Sequence, residues 1–166
     1  MKKLTLILAL IGMVTLQSCS NDDDTDRDTI SEVFEYSGVN FLPNDYKVTL
    51  NYPHTIFTSD MVLVYRLSGT FEGQDLWKLL PESYFFDDGT LDLRYDFDFR
   101  TVDAEVSLQG YDLPNVTNAF KLNQVLRVVV IPGIMVNNKS TINFRDYNRV
   151  VKAFNIDESK MTKIKQ

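Results

Sequence analysis

The residues of this chain with the clearest capacity for chemistry are carboxylates that alternate along one predicted strand. Asp92, Asp96 and Asp98 share a strand face, where neighbours lie about 7 Å apart, and Asp103 and Glu105 are placed to lie across the ladder from them. This spacing suits an ordinary solvated face, a calcium-type cation site, or the acid and base pair of a glycosidase.

Two arginines favour one of these three interpretations of the acidic face over the others. Arg94 and Arg100 interleave with the acids on the same face, where cross-strand pairing neutralises them. The spacing of an EF-hand loop is missing as well. We therefore favour the solvated face over the cation site and the glycosidase-like pair, and we expect no metal.

The chain contains few residues that could support other kinds of catalysis. The chain has one histidine, His54, which follows Pro53 in a predicted loop, and one cysteine. A Ser-His-Asp triad needs an imidazole beside its nucleophile, a zinc site needs three or four ligands, and no glycine-rich phosphate loop occurs. We expect no catalytic residues and no cofactor, and we interpret the chain as a protein that is not an enzyme.

Aromatic side chains are the other candidates for a binding site. Tyr84, Phe85 and Phe86 are consecutive and follow Trp77 closely. Alternation cannot bury three neighbours on one face of a strand, so at least one ring faces the other side or a partner. Exposed rings bind glycans and peptide edges, whereas burial in a two-sided strand is the more common alternative.

The N-terminal sequence predicts where the protein resides. Lys2 and Lys3 precede an apolar run, 4–16, that is too short to cross a bilayer as a mature helix, so residues 1–18 are predicted to be a signal peptide. The following box, Leu-Gln-Ser-Cys at 16–19, resembles the lipobox of bacterial lipoproteins. That resemblance implies that Cys19 carries a diacylglyceryl thioether and an acylated, palmitate-type amine, which together anchor a protein stably to a membrane.

Three further resemblances concern the acidic tether predicted at residues 19–28 and the residue that follows it. Asp22, Asp23 and Asp24 resemble the signal with which Bacteroidota lipoproteins are exported to the cell surface, although an ordinary solvated spacer is the alternative. Ser20, where an aspartate would favour retention, implies release from the inner membrane. Thr29, in Asp-Thr-Ile, resembles a Bacteroidota O-glycosylation site. We expect an outer-membrane, lipid-anchored protein exposed at the cell surface.

The charge balance narrows the range of partners. The net charge is −6, and removing the signal peptide takes away two lysines and no acid, which makes the mature protein more negative. Such a surface repels nucleic acid. The single cysteine excludes an internal disulfide.

A period of two runs through most of the chain from residue 29 onward and predicts strands. Apolar side chains alternate over 46–52, run almost unbroken over 61–67 and 124–131, and alternate again over 91–99 and 102–108. The unbroken runs predict strands buried on both faces. The two last segments predict a hairpin, entered through a turn at Asp88 and Gly89 and with Phe97 and Phe99 facing the core.

Only two segments depart from this period. Residues 75–81 predict one helical turn stopped by Pro81, and 147–154 carry the apolar stripe of an amphipathic helix. Residues 157–166 are rich in lysine and are predicted to be a flexible tail. We expect an all-β fold, an immunoglobulin-like β-sandwich of about seven strands with one C-terminal α-helix, over residues 29–156.

Three segments, at 62–67, 76–89 and 123–130, resemble a group of small uncharacterised Bacteroidota lipoproteins. The resemblance implies an anchored β domain and no activity. We expect a non-enzymatic display or binding module of the cell envelope, with a glycan or a protein as ligand. The alternatives are a carboxylate-based hydrolase acting on polysaccharide and a purely structural envelope component.

Overall fold

A computed structural model describes residues 29–136 and 142–166 as a β-sandwich with a C-terminal helix, which confirms the predicted fold class. Cys19 and Asp22 to Asp24 lie outside the described residues. Nine strands are described where about seven were predicted: β1 (Glu32–Val39), β2 (Lys47–Asn51), β3 (Met61–Phe71), β4 (Gln74–Leu79), β5 (Glu82–Phe85), β6 (Leu91–Phe99), β7 (Asp103–Gly110), β8 (Gln124–Ile131) and β9 (Thr162–Lys165). The α-helices are α1 (Asn118–Lys121), α2 (Gly133–Val136) and α3 (Tyr147–Ala153).

Two sheets pack face to face and enclose the main core. One has the order β4-β3-β8-β1-β9 and the other the order β2-β7-β6-β5. Their inward side chains alternate with outward ones along each strand, as the period of two requires. The core includes Phe34, Tyr36, Val64, Tyr95 and Val128.

The central part of the five-stranded sheet is buried on both faces because helix α3 covers its outer side. Leu63, Tyr65 and Val129 point outward and pack against Tyr147 and Val150 of the helix. A second core therefore lies on this face. The first part of β3, residues 61–67, and β8 have nearly unbroken apolar sequences because both faces of these segments are covered. The predictions for these two strands and for the helix are confirmed.

The predicted hairpin is present as β6 and β7, and Gly89 adopts a positive φ of 85° in the turn that leads into it. Phe97 packs partly against the core, as predicted. The prediction that Phe99 is buried in the core was wrong. Phe99 is opposite the buried Ala104 and so lies on the inward side, but at the last position of the strand 48% of it remains exposed.

Residues 75–81 do not form the predicted helical turn. Residues 75–79 belong to β4, in which Trp77 pairs with Leu67 and Leu79 with Tyr65 of β3. The alternation of Trp77 and Leu79 on one face, together with backbone pairing to β3, outweighs the local propensity for a helix.

The predicted flexible tail is also wrong. Residues 158–160 form a 3₁₀ turn and 162–165 form β9, which adds to the edge of β1 in parallel. Ile164 packs against the core between the sheets, and the Gln166 N–H donates to the Ser37 carbonyl at 2.9 Å. This tertiary pairing supplies the order that the lysine-rich sequence lacks on its own.

The chain enters the sandwich at one end, which we call the N-terminal end. It comprises residues 30–31, the loop 52–60, the turn 100–102 and residues 132–136. The loop is bound to the turn by N–H donation from Ile56 to the Thr101 carbonyl at 2.8 Å, and Ser59 contacts Gly133 closely. The opposite end carries the β3–β4 hairpin and the loops 86–90 and 111–123.

Candidate binding site

The candidate aromatic side chains do not form one platform, because the fold directs them to three places. Trp77 lies on β4, at the edge of the five-stranded sheet, and Tyr84 and Phe85 lie on β5, at the edge of the four-stranded sheet. Phe86 follows β5 in the loop at the far end. The sequence placed Trp77 in a helical turn rather than in a strand, and it could not show which of these residues share a surface.

Trp77 is held in place by an arginine. The guanidinium of Arg127 lies 4.0 Å from the centre of the Trp77 ring and forms ion pairs with Glu35 at 2.9 Å and Glu158 at 2.8 Å. Tyr147 of helix α3 packs against the same indole, with ring centres 5.7 Å apart. A ring fixed in this way loses little conformational entropy when a ligand contacts its remaining surface.

Tyr84 points inward, so the prediction that it contributes to a ligand surface is not supported by its contacts. Its hydroxyl accepts from Arg66 at 2.8 Å and donates to Glu82 at 2.7 Å. Burial, reinforced by the hydrogen bond to the Glu82 carboxylate, raises the pKa of Tyr84 to about 12. The phenol is therefore a neutral member of a buried network that joins β3 to β5.

Phe85 points outward, because side chains alternate along β5 and that of Phe85 lies on the opposite face of the strand from that of Tyr84. It is 62% exposed and lines a cleft of about 520 Å³ together with Trp77. This cleft, which we call the edge cleft, lies between β4 and β5 on one side of the sandwich. Its volume is in the range of small-molecule binding sites.

The edge cleft carries two basic side chains although the protein is acidic. Lys78 and Arg145 line it, and neither forms an ion pair with any carboxylate in the part of the chain that the structure describes. The nearby carboxylates are already paired: Glu82 with Arg66 at 2.9 Å, and Asp146 with Arg149 at 3.0 Å. The charges available to a ligand in the cleft are therefore positive.

Sequence reasoning missed both of these cations. Lys78 lies beside Trp77, but Arg145 is more than sixty residues further along and reaches the cleft because Phe144 is fixed to β3. The Tyr65 hydroxyl donates to the Phe144 carbonyl at 2.7 Å. No local pattern in the sequence predicts this contact.

Phe86 belongs to a separate groove at the far end of the sandwich. It meets Tyr111 edge to face, with ring centres 6.4 Å apart, and lines a depression of about 300 Å³ that Asp92 and Phe120 also line. This groove is smaller than the edge cleft and is lined by carboxylates rather than by cations. Asp92 therefore lies apart from Asp96 and Asp98.

Three of the four remaining carboxylates of the β6–β7 face are paired with basic residues. Asp96 binds Arg94 at 2.7 Å, Asp103 accepts from Arg100 at 2.8 Å, and Glu105 binds Lys47 at 2.7 Å; the fifth acid, Asp98, is opposite Glu105 in register. Over residues 29–136 and 142–166, no three potential ligands gather in a way that could hold a metal ion.

His54 is engaged in structural contacts at the N-terminal end. Its Nε2 lies 2.9 Å from a Glu32 carboxylate oxygen, and its Nδ1 lies 3.1 Å from the Thr55 carbonyl. The ring meets Phe34 edge to face at 5.8 Å. These contacts fix the loop 52–60 to β1. Thr29 is exposed at the start of the described chain, and its glycosylation stays a prediction.

Comparison with protein-family models, with curated proteins and with solved structures finds no match for this chain. Within the described residues, no helix combines the length and the hydropathy that spanning a bilayer would require.

Proposed function

We propose that this protein is a lipid-anchored envelope protein, displayed at the outer membrane, that binds an acidic saccharide in the edge cleft without cleaving it. The lipobox ending at Cys19 and the acidic run Asp22 to Asp24 support the anchor and its location. The entry of the chain at the N-terminal end supports a geometry in which the side of the sandwich, where the cleft lies, remains open to solvent.

The observation that carries the ligand assignment is the pairing of aromatic and cationic side chains in the edge cleft. Trp77 and Phe85 offer apolar surface for the face of a sugar ring, and Lys78 and Arg145 offer charge to its carboxylates. A volume of about 520 Å³ suits a few sugar rings. A folded protein partner would instead need roughly 800 Å² of surface on each side.

The ligand class is tested with two probes that differ only in charge. Isothermal titration of the mature protein with tetragalacturonate should give binding that weakens as salt rises, because the attraction is screened. The methyl ester of the same oligosaccharide, which keeps the rings and loses the charges, should bind much more weakly. Equal binding of acid and ester would refute the charge assignment.

Substitutions then locate the site. Lys78→Gln and Arg145→Gln should each weaken binding of tetragalacturonate about tenfold, which is the loss expected for one charge-assisted hydrogen bond. Lys152→Gln, on the exposed side of helix α3, is the matched control and should bind as the native chain does. If all three variants bind alike, the saccharide does not occupy the edge cleft.

A further inference from the structure

The N-terminal end of the sandwich exposes a set of large apolar side chains that the core does not use. Their exposed fractions range from 48% for Phe99 to 70% for Ile134. They come from four separate segments that meet at this end: Ile30, Phe57, Phe99, Val102 and Ile134.

The segments that carry these side chains are bound to one another. Ile56 donates to the Thr101 carbonyl and Tyr52 to the Val102 carbonyl, at 2.8 and 2.9 Å, so Phe57 and Val102 belong to adjoining loops. The Ser31 hydroxyl contacts the Met135 sulfur at 3.5 Å, which places Ile30 and Ile134 close to the same end.

The carboxylates closest to this apolar surface are held by neighbouring groups. Asp103 forms an ion pair with Arg100, the Glu32 carboxylate contacts the His54 ring, and the buried Asp60 accepts from the Phe57 N–H at 2.9 Å. Asp98 is exposed but alternates with the inward Phe97 and Phe99, so it lies on the outer face of the sheet. Carboxylates held in this way add little to the cost of approaching an apolar phase.

The sequence that flanks this end offers nothing apolar to cover it. Residues 20–28 and 137–141 contain no large apolar side chain. The proposed anchor, Cys19, precedes Ile30 by eleven residues, which can span at most about 40 Å in any conformation. Attachment through Cys19 would therefore hold the N-terminal end next to the lipid at high effective concentration, so that weak apolar contacts suffice for docking.

We propose that the N-terminal end of the sandwich docks on the lipid surface, with Phe57, Phe99 and Ile134 entering the interfacial region. The inference rests on the proposed lipid anchor and adds an orientation to it. The opposite end of the sandwich then points away from the membrane. The mouth of the edge cleft faces sideways, along the membrane plane.

The experiment uses the full lipidated chain in vesicles of phosphatidylcholine and phosphatidylethanolamine. Because lipidation converts the only native cysteine to a thioether, one introduced cysteine can be labelled selectively with an environment-sensitive fluorophore. Thr58→Cys lies beside the exposed Phe57, and Thr70→Cys lies beside the exposed Phe71 at the opposite end, so the two positions are matched. Spin-labelled lipids in the vesicles then serve as quenchers.

We expect a blue-shifted, strongly quenched label at position 58 and a water-like, weakly quenched label at position 70. Adding Phe57→Asp to Thr58→Cys should reduce the quenching while the protein still floats with the vesicles. Equal, weak quenching at both positions in floating protein would overturn the docking and leave the anchor intact. A protein that does not float would overturn the anchor and the docking together, and a vesicle-independent blue shift that grows with protein concentration would assign this end to a second copy of the chain.

Discussion

At the scale of single residues, the most demanding feature is a buried ion pair between the two sheets. Arg66 is 4% exposed and binds Glu82 at 2.9 and 3.2 Å, while its guanidinium lies 4.6 Å from the centre of the Tyr95 ring. Gln124 accepts a further hydrogen bond from it at 3.1 Å. A charge so withdrawn from water depends on its partners, because water cannot replace them.

Arg66→Met should therefore lower the free energy of unfolding by about 3 to 5 kcal/mol, since it leaves Glu82 without its cation. Lys47→Met, which breaks a solvent-exposed ion pair with Glu105, is the control and should cost far less stability, because water screens that pair. Urea denaturation of the mature protein measures both. Similar losses for the two variants would mean that the buried pair does not stabilise the sandwich more than a surface pair does.

The sequence predicted the carboxylates of β6 better than it predicted this pair. Asp96 and Asp98 alternate with apolar residues on one strand, so a local pattern was enough to place them. Arg66 and Glu82 belong to different sheets, and an isolated arginine in an apolar run gives no indication of its partner. The same limit applies to Arg145, whose place in the edge cleft depends on the contact between Tyr65 and Phe144.

At the scale of elements, β9 shows which strands the periodicity of a sequence can predict and which it cannot. Long strands such as β3 and β8 were predicted because each contains an almost unbroken apolar run of seven or eight residues. β9 has four residues, of which only Ile164 is partly buried, and its order comes from parallel pairing with β1 more than 120 positions earlier. Residues 75–81 were misjudged for a related reason, since pairing with β3 decided between a strand and a helical turn.

Deleting residues 161–166 should expose the edge of β1 and the core beneath Ile164. Hydrogen exchange should accelerate at those β1 amides that point toward β9, because their partners are removed. Amides between β6 and β7, in the other sheet, are the internal control and should keep their protection. Unchanged exchange in β1 would show that β9 adds nothing to the stability of the sheet edge.

At the scale of the whole molecule, the proposed function combines an anchored N-terminus with a cleft on the side of the sandwich. The acidic run is the element proposed to direct this arrangement outward. Replacing Asp22, Asp23 and Asp24 by alanine should leave lipidation intact while protease added to whole cells no longer reaches the domain. Unchanged digestion would reduce the run to a solvated spacer.

Lipidation of Cys19 tests the central claim most directly, because display and orientation both depend on it. Cells of a Bacteroidota host that express the native chain or Cys19→Ala are grown with a palmitate analogue, and the protein is followed by label and by membrane fractionation. We predict that the native chain is labelled and sediments with the outer membrane, whereas Cys19→Ala is unlabelled and soluble. A native chain without label, or a labelled alanine variant, would contradict the account.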